Sequence, residues 1–199
     1  QIGAFANSTM APPFFRPKTI EQLVEYCCFV SAAAPELPFY YYHIPGMTGV
    51  NLSVAEFLSQ AEERIPDLAG VKFTDSNLYE LGKAIDVAGE RYQLLFGLDE
   101  MLLAAFALGV VGGVGGTYSL APAIYQKMLS AFAAGDWEQA RGCQQASRRL
   151  VDVLVEIGVV PGIKAGMKAH GIDCGPARSP LENVTDEQFE RLSAVLRTA

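Results

Sequence analysis

The chain has 199 residues, half of them hydrophobic and 19% charged, which predicts one or two domains with a sizeable buried core and excludes a disordered or fibrous protein. Lys and Arg number 15 against 22 Asp and Glu, so the net charge is −7 and no basic stripe exists to neutralise nucleic-acid phosphates or anionic lipid. Neither nucleic acid nor a membrane surface is an expected partner.

Cys27, Cys28, Cys143 and Cys174 show no CxxC or zinc-ligand spacing, and the chain has only 2 histidines. No metal site is therefore expected, and the thiols read as reduced cysteines of a cytoplasmic protein. No basic start followed by an apolar run opens the chain, so no signal peptide is expected, and there is no initiator methionine. The uncharged stretch between Glu100 and Lys127 is long enough to cross a bilayer. It is interrupted by Gly109, Gly112, Gly113, Gly115 and Gly116 and by the polar Thr117, Tyr118 and Ser119, with Pro122 following. Helix, buried strand and turn fit this pattern better than a membrane span.

In chain order, apolar runs of strand length alternate with amphipathic stretches of helix length. Strands are predicted over 4–10, 39–44, 68–74, 93–97 and 110–117, and helices over 20–34, 54–65, 78–88, 100–108 and 123–134. The strands are apolar almost throughout, which predicts parallel pairing with helices covering the outside. Ser53 with Glu56 predicts a capping box at the start of the second helix, with Leu52 and Phe57 at staple positions. Asp136 with Gln139 predicts the start of a long helix that runs to about Ile157 and stops at Gly158, and Thr185 with Gln188 predicts the start of the last one. Residues 136–199 thus form a helical layer after the βα units of 1–135. No repeat, low-complexity tract or linker divides the chain, so one domain is expected over 1–199. Such βα units suit either a doubly wound sheet or a (β/α)8 barrel. The glycine-rich stretch 109–116 has neither GxGxxG nor a following Gly-Lys-Ser/Thr, which points to close backbone packing rather than a phosphate cradle.

Lys72 breaks the apolar pattern of the third strand, Ala-Gly-Val-Lys-Phe-Thr-Asp. With a period of two, Gly70, Lys72 and Thr74 share one face while Val71 and Phe73 share the other, so Val71 and Phe73 pack on helices and Lys72 points inward. A buried ammonium is costly, and desolvation favours the neutral amine, which is able to attack a carbonyl and form a Schiff base. The alternative is an edge strand whose lysine reaches into water or guards against edge pairing. In the second strand, Tyr42 lies near the C-terminal end, where Pro45 follows. Its phenol is a candidate proton relay, or else a core aromatic with a satisfied hydroxyl. His43 lies on the opposite face and reads as structural.

Two motifs in order, Tyr-His-Ile-Pro-Gly-Met-Thr-Gly at 42–49 and Leu-Ala-Gly-Val-Lys-Phe-Thr-Asp at 68–75, resemble the signature of the class I pyruvate aldolases, the superfamily that contains N-acetylneuraminate lyase and dihydrodipicolinate synthase. Leu-Phe-Gly-Leu-Asp-Glu at 95–100 and Gly-Val-Gly-Gly-Thr-Tyr at 113–118 resemble the lyase branch, and the likeness covers nearly the whole chain. The resemblance implies an α/β fold of the TIM (β/α)8 barrel family. It also implies reversible Schiff-base cleavage of N-acetylneuraminate (sialic acid) to N-acetylmannosamine and pyruvate. By the same resemblance Lys72 forms the Schiff base and Tyr42 shuttles the proton. Thr74, Gly97, Asp99, Glu100 and Gly116 match positions that hold the sugar. No metal or organic cofactor is implied, and the assembly implied is a homotetramer in the cytoplasm. For Asp99 and Glu100, helix capping and dipole compensation are the competing explanation.

Three departures from the family pattern matter. Synthases of the dihydrodipicolinate type carry arginine where Met47 stands, which favours the lyase branch over another pyruvate-dependent aldolase. Lyases commonly have Ser-Thr-Tyr where this chain has Gly116-Thr117-Tyr118, so one hydroxyl contact to the sugar is missing. The resemblance also begins at about the family's fourth strand, so about the fourth to eighth βα units are represented. This implies a partial barrel with two exposed strand edges. It lacks the Gly-rich segment that binds the pyruvate carboxylate and the tyrosine from a neighbouring subunit. Inefficient lyase activity is expected from such a chain alone, and a catalytically silent form that binds full-length subunits is the remaining alternative.

Overall fold

The computed structural model describes residues 3–197. It contains strands β1 (Asn7–Met10), β2 (Phe39–His43), β3 (Leu68–Phe73), β4 (Gln93–Phe96) and β5 (Gly112–Gly113). All neighbours are parallel, and the five strands lie in the order β1-β2-β3-β4-β5. A strictly sequential order has no point at which the winding reverses, so the barrel type of winding is present and the doubly wound alternative falls. The chain has an α/β fold whose parallel strands correspond to part of a TIM barrel. β1 and β5 end the sheet, each paired on one side only among the described residues.

The helices that follow these strands are α1 (Ile20–Ser31), α2 (Pro45–Thr48), α3 (Val54–Ala61), α4 (Leu78–Ala88) and α5 (Leu102–Leu108). Side chains alternate across the sheet as the period of two requires. Phe39, Tyr41, His43, Val71, Phe73, Leu94 and Phe96 are all buried on the face that packs on helices. Tyr40, Tyr42, Lys72 and Leu95 alternate with them and are only half-buried. Burying a phenylalanine contributes on the order of 2 kcal/mol, so the helix-facing side carries most of the stability of this sheet.

By contact density the chain forms two compact units, one holding the residues up to Leu98 with Ala104–Val114, the other Asp99–Leu103 with the residues from Gly115 on. The second unit contains a short 3-10 turn at Asp99–Met101 and helices α6 (Pro122–Ala133), α7 (Trp137–Ile157), α8 (Val159–Ala169) and α9 (Asp186–Leu196). Asp136 and Thr185 cap α7 and α9 as expected, and Thr185 with Gln188 makes both halves of a capping box.

Several expectations need correction. The strand predicted over 110–117 shrinks to Gly112–Gly113, because a run of glycines provides no side chains to pack on a pleated surface. The first strand begins at Asn7 rather than at residue 4. The helix predicted from Glu100 begins at Leu102, after the 3-10 turn. The Ser53 box is only half formed: Ser53 accepts from the Glu56 N–H, but the carboxylate that answers is that of Glu80 on α4. Neither α2 nor α8 was separately predicted. No helix among the described residues is long and apolar enough to cross a membrane, and all four cysteines are free.

Candidate active site

Lys72 lies on β3, the middle strand of the five, so the edge-strand alternative fails. Tyr42 on β2 is its direct register partner, and both project from the half-buried face. The Lys72 Nζ sits 3.9 Å from the centroid of the Tyr42 ring, where the negative face of the aromatic quadrupole attracts an ammonium. Parallel register is what places the pair side by side. A shift of one residue would turn Lys72 into the helix-packed face. Ser8, Tyr40, Tyr42, Lys72, Leu95 and Val114 line a cavity of about 190 Å³ here. Tyr42 is half-buried on this face, so it does not fill the core in the way of Tyr41, its fully buried neighbour.

The parallel ladder runs one residue past each strand: Thr74 N–H donates to the His43 carbonyl, and Gly97 N–H to the Phe73 carbonyl, both at 2.8 Å. These bonds bring Thr74 and Gly97 to the C-terminal ends of their strands beside Lys72. A Cβ on Gly97 would overlap the Thr74 hydroxyl and come within 3.1 Å of the Lys72 Cε, so only glycine leaves both side chains in place. The Thr74 hydroxyl is buried and has no protein partner among the described residues. It is therefore free to bond a ligand.

His43 faces the other way, against Tyr41 and Phe73. Burial pulls its pKa down to about 4, although the carboxylates of Asp75 and Glu80 push the other way. The structure agrees with a structural role for this residue.

Asp99, Glu100 and Gly116 belong to the helical unit. The Asp99 carboxylate is buried, and its Oδ2 accepts from both the backbone N–H (2.9 Å) and the hydroxyl of Thr117. Its Oδ1 has no donor among the described residues. Gly115 makes this possible, since a Cβ there would overlap the carboxylate. Glu100 is half-buried. A Cβ on Gly116 would lie 2.6 Å from Cδ1 of Ile163, the end of a flexible side chain. Three other side chains, Gln144, Ser147 and Tyr125, escaped the sequence reading. The α7 residues Gln144 and Ser147 both donate to the Asp99 carbonyl at 3.0 Å, and the Tyr125 hydroxyl links Ser147 to Thr117. No local pattern announces these contacts, because they join residues 8 to 48 positions apart. Among the described residues no cluster of His, Cys, Asp and Glu is arranged to hold a metal ion.

An amine and a phenol thus stand side by side near the C-terminal ends of two neighbouring strands in a singly wound parallel sheet. The model of the dihydrodipicolinate synthetase family matches residues 1–199, and the chain belongs to this family of class I aldolases. Within it, the chain is similar to N-acetylneuraminate lyase of Mus musculus, with 38% identity over 201 residues covering 100% of this chain and 63% of that protein. N-acetylneuraminate lyase of Homo sapiens is 37% identical, with the same coverage. Among solved structures, N-acetylneuraminate lyase (sialic acid aldolase) of Aliivibrio salmonicida superposes with a TM-score of 0.93 at 39% identity, covering 98% of this chain and 65% of that one. The lyase of Proteus mirabilis gives 0.90 at 37% identity, covering 96% and 64%. The chain therefore spans less than two thirds of the length of these relatives.

Proposed function

We propose that the chain carries the chemistry of an N-acetylneuraminate lyase, cleaving the sugar acid reversibly to N-acetylmannosamine and pyruvate. The observation that supports this most directly is the Lys72 amine held 3.9 Å from the Tyr42 ring on register-paired strand positions. The Lys72 amine attacks the 2-oxo carbon of the substrate, and loss of water gives the Schiff base. The protonated imine then draws electrons from the adjacent carbon–carbon bond. As that bond breaks, the proton leaves the substrate hydroxyl, with Tyr42 as relay, and the aldehyde departs. The remaining enamine is protonated on carbon, and hydrolysis releases pyruvate and restores the amine. Thr74, Gly97, Asp99, Glu100 and Gly116 are assigned to substrate binding. Met47, 74% exposed and uncharged, favours the lyase over the synthase reaction, which needs a cation for a second carboxylate. A homotetramer in the cytoplasm belongs to the same proposal.

Borohydride reduction in the presence of pyruvate, followed by mass mapping of peptides, tests it. The expected result is a single reduced adduct on Lys72, absent in Lys72→Arg. An adduct on Lys83 or Lys164 instead defeats the assignment. A second reading, a silent form that binds full-length subunits, is favoured by the share of the relatives' length that the chain spans. It predicts no adduct on this chain, together with co-assembly and altered activity when it is mixed with full-length enzyme.

A further inference from the structure

Tyr40 stands one inward-facing position before Tyr42 on β2, and its hydroxyl donates to Gln93 Oε1 on β4 at 2.6 Å. The bond spans a whole strand. Tyr40 is the register partner of Gly70 on β3, and Gly70 is in turn the partner of Gln93. No side chain at residue 70 stands between them, and none could, because a Cβ on Gly70 would overlap the Gln93 carbonyl oxygen. Tyr40, Gly70 and Gln93 thus make the row next to Tyr42, Lys72 and Leu95 on the same face, one step nearer the N-terminal ends of the strands and wholly within the sheet unit. The bond is solvent-exposed and adds little to stability. Its consequence is geometric, since it fixes where the Tyr40 ring lies.

That ring and Lys72 line the same cavity, as diagonal neighbours on paired strands within reach of an aromatic and a long side chain. Lysine is a flexible four-carbon stem, and ordering it costs rotamer freedom. Gly70, two residues before Lys72 on the same face, leaves a bare position beside that stem. We propose that Tyr40 is a positioning residue for Lys72: latched across Gly70 by Gln93, its ring covers the bare position into which the lysine would otherwise fold, and so holds the amine against the Tyr42 ring. The proposal rests on the Schiff-base reading of Lys72 and deepens it, because neither Tyr40 nor Gln93 has a role there. Tyr40 touches no reacting atom and acts only through where the amine stands.

The test compares wild type with Tyr40→Phe, Gln93→Leu and the double variant, the first two of which each remove the bond and keep its partner's bulk. Two readouts are taken: the rate of pyruvate trapping on Lys72 by borohydride, and the NMR signal of the Lys72 side chain in lysine-labelled protein, assigned by its absence in Lys72→Arg. Over the Tyr42 ring that signal is expected upfield of the other lysines in wild type. In each single variant it should lose about half or more of that displacement while trapping slows about tenfold, the scale on which small misplacements of a reacting group act. The double variant should be no worse than either single one, because one bond is lost only once. Either readout unchanged in a single variant overturns the proposal, as do losses that add in the double variant. If wild type traps no pyruvate, the Schiff-base reading falls by itself. The proposal that the latch holds the amine then stands or falls on whether the displaced signal moves.

Discussion

Lys72 and His43 stand on neighbouring strands but on opposite faces. His43 is 1% exposed, and both its ring nitrogens lack a hydrogen-bond partner among the described residues. Its folded pKa of about 4 lies below the ordinary 6.5. Between these values the unfolded chain binds a proton that the folded one refuses, so stability falls as pH drops from 6.5 towards 4. The loss from this one group is about 3 kcal/mol. Urea midpoints measured across that window should show it, and His43→Asn should flatten the profile. A slope unchanged by the substitution would mean that other groups drive acid unfolding. On the opposite face, Tyr42→Phe keeps the ring under the Lys72 amine but removes the hydroxyl proposed as the relay. Turnover of N-acetylneuraminate is expected to fall about 100-fold or more while pyruvate trapping persists, which steady-state rates and mass mapping together would separate.

At the scale of elements, the start of α3 is stabilised from another helix. Glu80 Oε1 on α4 accepts from the Ser53 hydroxyl at 2.7 Å and from the Val54 N–H at 2.9 Å, while Oε2 holds Lys83 at 3.2 Å. Glu80→Ala is therefore expected to cost about 1 to 2 kcal/mol. Glu56→Ala, the change a local capping box would make costly, should cost only a few tenths on an exposed helix surface. Chemical denaturation of the two variants compares them, and the reverse ranking would restore the local box. The helix starts at Val54, Trp137 and Asp186 were legible because Ser, Asp and Thr caps act within three residues. The extent of β5 was not legible. It depends on where the ladder from Phe96 to Val114 ends, which a glycine run does not reveal.

For the whole molecule, the two compact units and the unequal closure of their elements suggest unequal cooperativity. The sheet unit ends in strands paired on one side only and exposes Phe5, Phe14, Phe15 and Phe29, each more than 80% accessible. The single tryptophan, Trp137, lies in the other unit, edge-on to Phe132. Far-UV circular dichroism should therefore begin to change at lower urea than tryptophan fluorescence. Coincident curves would make the chain one cooperative unit.

Taken alone, the amino-acid sequence determined the parallel βα alternation, the inward face of the third strand and the pairing of a lysine with a tyrosine in recognisable motifs. The first two rest on periods of two and 3.6 and on nearby caps, which are local, and the pairing rests on the likeness of the two motifs to a known family. Tertiary structure alone decided that β3 is central, that Glu80 caps a helix it does not belong to, and that Asp99 keeps one oxygen unmatched. Each of these depends on which distant residues meet, and the free energy of such contacts is settled by packing rather than by spacing along the chain.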